Sequence, residues 1–422
     1  MCHHPHTNVD SLRGSLFLNS LFLILNTLAG SAFGFLFWGL AVRLCAPAQI
    51  GLGAAYITAV TLLSNLGDIG LGIALVRFAS SMKDEKVTFI NSGLVAVAGI
   101  TLLLTVGFVA IAPMWSSEFG TLTRSGFHIG LFTSVSLLFS VVQFLDRLYI
   151  AFQVTHFMLA RNVLANLFRI GLMIALSRSL GAIGLLLAIG GGALVTLGLS
   201  AMVFAPQVVP GYWPRLDFAW SLFRDKIRYS LGNHFSQLVW SAPPLIYPLI
   251  ILSLLGAEAN ACFYISWMIS NLLFVVPTAV ATSAFARYAK CADTGEKTLG
   301  WTMRLTLIGL VPIVLGLASS SSLLLSVFGG EYVTGGQSLL KLLLISAFPY
   351  TINTFVVTDY RIRQHVRGVV VVSGSIALLS LTLIILFGVT CALPGVGIGW
   401  LSGQSIGAAF ALLHRRQDVR TG

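Results

Sequence analysis

Charge is what this sequence has least of. Only 9% of its 422 residues are charged, and just 14 are acids, where a soluble domain carries about 25% charged residues. With 56% hydrophobic residues and a mean hydropathy of +0.90, the chain is excluded from the soluble globules. Cysteine is sparse as well. Cys2, Cys45, Cys262, Cys291 and Cys391 are scattered, odd in number and form no CxxC pair, which argues against a disulfide framework or a zinc site. There is no P-loop, so ATP is not the direct energy source. Acids and histidines nowhere gather into a catalytic constellation. His3, His4 and His6 read as a solvated tail. No catalytic residue, metal or cofactor is therefore expected, and the chain does not read as an enzyme.

What fills the sequence instead is apolar runs. A membrane-spanning helix needs about 20 predominantly apolar residues, and twelve such runs are present. They cover 16–42, 51–76, 89–112, 127–152, 159–176 and 181–204, then 227–254, 259–284, 302–328, 338–358, 369–389 and 395–413. The first run is too long for a signal peptide and lacks a small-residue cleavage site, so it reads as a span that stays in place. The connectors are short. None is large enough for an extramembrane domain.

The few charges are sorted. Of 25 basic residues, Arg43, Arg124, Arg178 and Lys341 fall in or at the edge of the odd loops and Arg169 deep inside an apolar run. The remaining 20 lie at the termini, in the even loops or within about five residues of them. Basic residues collect on the cytoplasmic side of short loops, so both termini are expected there. Glu118, Glu258 and Glu331 mark outer loops. The net charge of +11 is explained by this dispersal and gives no reason to expect nucleic acid.

The longest polar connector is 206–226. Trp213, Phe218, Trp220 and Phe223 interleave there with Arg215, Arg224, Lys226 and, just beyond, Arg228. This composition suits either a plain linker or a segment at the headgroup level. On either side the chain resembles itself, as an internal repeat or as two apolar hairpins alike by chance. A slide of 210 residues sets 44–79 against 254–289 without a gap, with Arg77 opposite Arg287. Six spans per half make the repeats parallel, related by an axis along the membrane normal. The expected fold is all-α and polytopic: an N-lobe (1–205), an interfacial cytoplasmic linker (206–226) and a C-lobe (227–422).

Residues 33–80, FGFLFWGLAVRLCAPAQIGLGAAYITAVTLLSNLGDIGLGIALVRFAS, carry a resemblance. An aromatic–Gly run ends at Gly39, Arg43 precedes a turn with Pro47, Gly51 opens a helix, and LGDIGLGIALVRF closes the stretch. ARNVLANLFRIGLMIAL at 160–176 is similar to a fifth helix. Together with the span count, these segments resemble Wzx-type flippases of the multidrug/oligosaccharidyl-lipid/polysaccharide (MOP) exporter superfamily. The resemblance implies a MATE-like fold. It also implies that the chain flips a polyprenyl-diphosphate-linked oligosaccharide by alternating access, for surface polysaccharide and lipopolysaccharide biosynthesis. The implied partners are that glycolipid, the bilayer and other polysaccharide-assembly membrane proteins.

Polar side chains within the spans supply the candidate site. Asn162, Asn166 and Arg169 share one helical face, which suits a cavity wall where a guanidinium holds diphosphate. Alternatively, Arg169 pairs with Asp146 or Asp68. Asp68, between Gly67 and Gly70, is a candidate for ion coupling, a partner for Arg77, or a cap on a broken helix. Asn26 with Asn19, Asn233 with Gln237, and Asn271 beside Trp267 are further cavity candidates, with hydrogen bonding between helices as the simpler reading. His234 and Trp267 read as packing residues. Gly30 with Gly34, and Gly399 with Gly403 and Gly407, read as close helix contacts. Pro243, Pro244 and Pro248 must disturb the seventh span.

Two other functions compete. A drug or cation antiporter of the same superfamily would rely on carboxylates in its first helices, and the first span has none. A membrane glycan polymerase or ligase would need a large outer loop, which is missing.

Overall fold

A computed structural model describes residues 9–78, 85–209, 212–213, 215–219, 222, 230–232, 234–235, 237–239, 241–288 and 292–421. Among them there is no strand. The principal helices are α1 (Val9–Leu44), α2 (Pro47–Gly67), α3 (Leu71–Phe78), α4 (Lys86–Trp115), α5 (Gly126–Ala151) and α6 (Thr155–Leu199). They continue as α7 (Pro243–Leu255), α8 (Ala257–Tyr288), α9 (Ala292–Ser319), α10 (Gly330–Ile345), α11 (Ala347–Ile362) and α12 (Val366–Thr421).

Eight helices are long and apolar enough to cross a membrane, and two bent pairs of shorter helices pass the same test jointly. α6 and α12 are too long for one crossing. At 1.5 Å per residue, the 45 residues of α6 would reach about twice the roughly 30 Å hydrocarbon thickness. Each breaks in the middle instead, α6 at Gly181 (φ 53°) and α12 at Cys391–Ala392, and folds back as an antiparallel hairpin. The described residues thus account for the twelve crossings expected from the apolar runs.

Small residues hold these hairpins closed. A Cβ on Gly184 would lie 2.6 Å from the Leu176 carbonyl oxygen, and one on Gly192 would lie 3.1 Å from the Cβ of Arg169. In α12, a Cβ on Gly403 would lie 2.5 Å from the Cα of Ser380, and Gly399 and Gly407 are pressed equally against Leu383 and Ile376. Association in lipid depends on such close packing because hydrophobic exclusion between helices is absent there. Gly30 and Gly34 differ from the expectation. A Cβ at either would meet no described atom within 4 Å, so they do not mark a close helix contact.

Local chemistry places the breaks. Pro47 opens α2 and Pro243 opens α7, where a missing N–H costs nothing. Pro243 and Pro244 therefore start a new helix, and the chain is bent at the break after Val239. α2 stops at Gly67, and Ile69 (φ 36°) and Gly70 (φ 85°) turn the chain into α3.

Contacts group the chain into two compact units: Met1–Leu44 with Ala59–Phe235, and Cys45–Thr58 with Ser236–Gly422. In the first, α1 and α5 pack against the α6 hairpin. Part of the connector is held there too. Asn91 Nδ2 donates to the Trp213 carbonyl (3.2 Å), Ser92 Oγ to that of Asp217 (3.2 Å), and the Ala219 N–H to Ser92 Oγ (2.9 Å). Trp220, Phe223, Arg224, Lys226 and Arg228 lie outside the described residues. In the second unit, Trp267 packs among Tyr247, Phe263, Phe274 and Trp400, as its reading as a core residue anticipated. Trp400 Nε1 donates to Ser346 Oγ at 2.8 Å.

Candidate functional site

The first unit contains a cavity of about 200 Å³. α1 contributes Asn26, Ala29 and Gly30. The first arm of α6 contributes Asn162, Val163, Ala165, Asn166 and Arg169, and the second arm Ile189, Gly192, Ala193 and Thr196. Phe139 and Val142 of α5 complete the wall. The helical period places Asn162, Asn166 and Arg169 on one face of the first arm. Gly192 lets the second arm approach that face. The volume has room for on the order of ten waters. Among the described residues, no carboxylate lines it.

The structure thus gathers Asn26, Asn162, Asn166 and Arg169 around one cavity. Arg169 also stands over the ring of Phe37, with its Cζ 5.3 Å from the centroid, an arrangement that favours a guanidinium. Of the acids weighed as its ion-pair partners, Asp146 pairs with Arg161, and Asp68 accepts from the Gly72 N–H with His234 Nδ1 3.9 Å away.

Arg161 corrects the charge assignment above. It was counted with the basic residues of the even loops, yet its side chain is 0% exposed. It pairs with Asp146 through Nη2, donates to Ser200 Oγ through Nη1 at 2.8 Å, and sits over the Tyr149 ring at 5.0 Å. Nε and Nη2 both reach Asn162 Oδ1, at 3.1 and 2.9 Å. Asn162 Nδ2 in turn donates to Asn26 Oδ1 at 3.0 Å. Arg169 is therefore accompanied in the same helix arm by a second arginine, the fully buried Arg161. The available signal was Asp146: a carboxylate within an apolar run calls for a buried cation.

The other candidates lie elsewhere. Asn19 is bonded to Thr155, its Oδ1 accepting from the backbone N–H at 3.2 Å and its carbonyl from Oγ1 at 3.0 Å. This joins α1 to the start of α6. Asp68 caps the broken helix, accepting from the Gly72 N–H at 2.8 Å, with His234 Nδ1 3.9 Å from its other oxygen. It does not line the cavity. Gln237 and Asn271 belong to the second unit, where both are exposed. Asn233 lies outside the described residues.

Outside the spans, Tyr212 is buried among Phe89, Leu148 and Val209. Burial, with a smaller contribution from Tyr149, pushes its phenol up to about 12. No cluster of His, Cys, Asp and Glu suited to a metal occurs among the described residues.

The sequence profile of a family described as polysaccharide biosynthesis protein matches residues 16–291. No curated protein sequence matches the chain. Among solved structures, the fold is similar to that of the lipid II flippase MurJ in an inward closed conformation. That likeness has a TM-score of 0.74 at 15% identity, over 95% of this chain and 87% of that one. It is also similar to an inward-facing multidrug resistance MATE family transporter of the MOP superfamily (0.65, 18%, 94% and 95%). A mutant of the Vibrio cholerae MATE transporter VcmN matches as well (0.60, 15%, 99% and 99%). At these identities the likeness establishes the fold.

Proposed function

Because the chain belongs to the family of polysaccharide biosynthesis proteins, we propose that it flips a polyprenyl-diphosphate-linked oligosaccharide across the bacterial cytoplasmic membrane. The observation that carries this reading is the cavity in the first unit, which holds one guanidinium and three asparagine amides and no acid. A guanidinium matches phosphate oxygens bidentately, and amides bind phosphate or sugar oxygens. The same lining disfavours the cationic substrates of a drug antiporter. A fold shared with a lipid II flippase supports a lipid-linked cargo.

The headgroup is taken up at Arg169, Asn166, Asn162 and Asn26 while the lipid tails remain in the bilayer. A cavity of about 200 Å³ admits a diphosphate with waters but not an oligosaccharide, so the glycan enters only in another state of the alternating-access cycle. The two six-span lobes, 1–205 and 227–422, perform that cycle, with both termini cytoplasmic and 206–226 joining the lobes. Asn233, Gln237 and Asn271 meet the glycan from the second lobe. Asp68 serves ion coupling through its contact with His234. The protein transports and does not catalyse.

The test is reconstitution in proteoliposomes with a fluorescent oligosaccharide on polyprenyl diphosphate. Flipping at protein-dependent rates, lost in Arg169→Ala at normal abundance, supports the reading. Wild-type flipping by Arg169→Ala removes Arg169 from the substrate path. Absence of flipping by the folded wild-type protein overturns the function.

A further inference from the structure

We propose that Arg161, which does not itself line the cavity, sets the cavity's hydrogen-bonding polarity by orienting Asn162 and Asn26. It makes that wall a row of donors suited to an anionic, oxygen-rich ligand of the phosphate or diphosphate class. This inference rests on the proposed function and specifies how the site selects its cargo.

A guanidinium has five N–H donors and no acceptor. Two of those donors converge on Asn162 Oδ1. Turning that amide around would set its NH₂ against two N–H groups and lose both bonds. Oδ1 must therefore face Arg161, and Nδ2 must face away, where it donates to Asn26 Oδ1. The constraint passes on. With its oxygen taken by Asn162, Asn26 has its NH₂ left to offer the cavity it lines.

Arg161 cannot relax this order. It is completely buried and anchored by Asp146, Ser200 and the Tyr149 ring. Ser200 begins a π-helical turn, 200–204, that ends the second arm of α6. Of the remaining polar lining, Arg169 can only donate. Thr196 gives its proton to the Gly192 carbonyl at 2.8 Å, which leaves it as an acceptor. Asn166 is free to turn either way. Donors therefore dominate, and a fixed donor array costs no reorganisation when an anion arrives.

The test uses the full chain in nanodiscs, with farnesyl diphosphate, inorganic pyrophosphate and farnesol as probes. Asn26→Asp is nearly isosteric: it keeps an oxygen for Asn162 and replaces only the outward NH₂. Farnesyl diphosphate affinity is expected to fall about tenfold or more, further than in Asn26→Ala, with farnesol binding unchanged. The paired change Arg161→Gln with Asp146→Asn removes both charges together. In that background the amides are free to turn, so the Asn26→Asp penalty should shrink. A purely structural Arg161 would leave the penalty intact. If the pair does not fold, Arg161→Lys enters the same cycle, since an ammonium keeps Asp146 company but lacks the fork.

Wild-type diphosphate binding by folded Asn26→Asp, or an undiminished penalty in the Arg161 variant, overturns the proposal. Loss of binding in Arg169→Ala alongside either result confines the failure to this inference. Wild-type binding in Arg169→Ala removes the proposed function's diphosphate site as well. Farnesyl diphosphate binding more tightly than pyrophosphate supports a lipid-linked source, and the reverse order assigns a soluble anion and overturns it.

Discussion

Arg161 and Asp146 pair within the first unit, the guanidinium fully enclosed and the carboxylate 26% exposed. Removing one partner of such a pair strands the other, at about 3–5 kcal/mol. Arg161→Met should lower the melting temperature in detergent sharply. Arg161→Met with Asp146→Leu should recover most of the loss. A single variant as stable as wild type would contradict the enclosed pair.

The glycines of the α12 hairpin predict an asymmetry. Gly403 faces the backbone of Ser380, and backbone cannot move aside as a side chain does. Gly403→Ala should cost about 1–3 kcal/mol through overpacking, read as lost yield of folded protein. Gly34→Ala, with open space around the new Cβ, should leave yield unchanged.

Asp68 separates capping from coupling. Asp68→Asn retains an oxygen for the Gly72 N–H and should melt close to wild type. Asp68→Ala should lose about 1 kcal/mol with its cap. If Asp68 serves coupling, flipping by Asp68→Asn becomes insensitive to an imposed pH gradient. A full wild-type response in that variant removes the coupling role.

Tyr212 predicts an alkaline limit. Its folded-state pKa, about 12, lies above the unfolded value of about 10. Stability from the buried neutral phenol is thus fully present below pH 10 and lost as pH rises through 12. The loss amounts to about 2–3 kcal/mol. Tyr212→Phe should flatten that part of the stability profile, followed by thermal melts between pH 9 and 12.

Much of the fold is legible in the sequence. Apolar run length reports crossings directly because a bilayer leaves backbone no partner but its own helix. Gly399, Gly403 and Gly407 were recognisable as a packing face because their spacing repeats every turn. Gly30 and Gly34 carry the same spacing and no such contact, since spacing cannot say what faces a helix.

The candidate site divides along the same line. Asn162, Asn166 and Arg169 line one cavity because they share a helix, where 3.6 residues per turn fixes relative direction. Asn26 joined them through a contact 136 residues away in sequence, as α1 and the α6 hairpin pack together. Arg161 was misassigned because a charge near the edge of an apolar run reads as a loop residue until Asp146 and Ser200 are found beside it. Periodicity and hydropathy are local properties of the chain. The direction of an amide, and whether an arginine faces lipid, water or a carboxylate, depend on which helices meet, and that is set by packing in three dimensions.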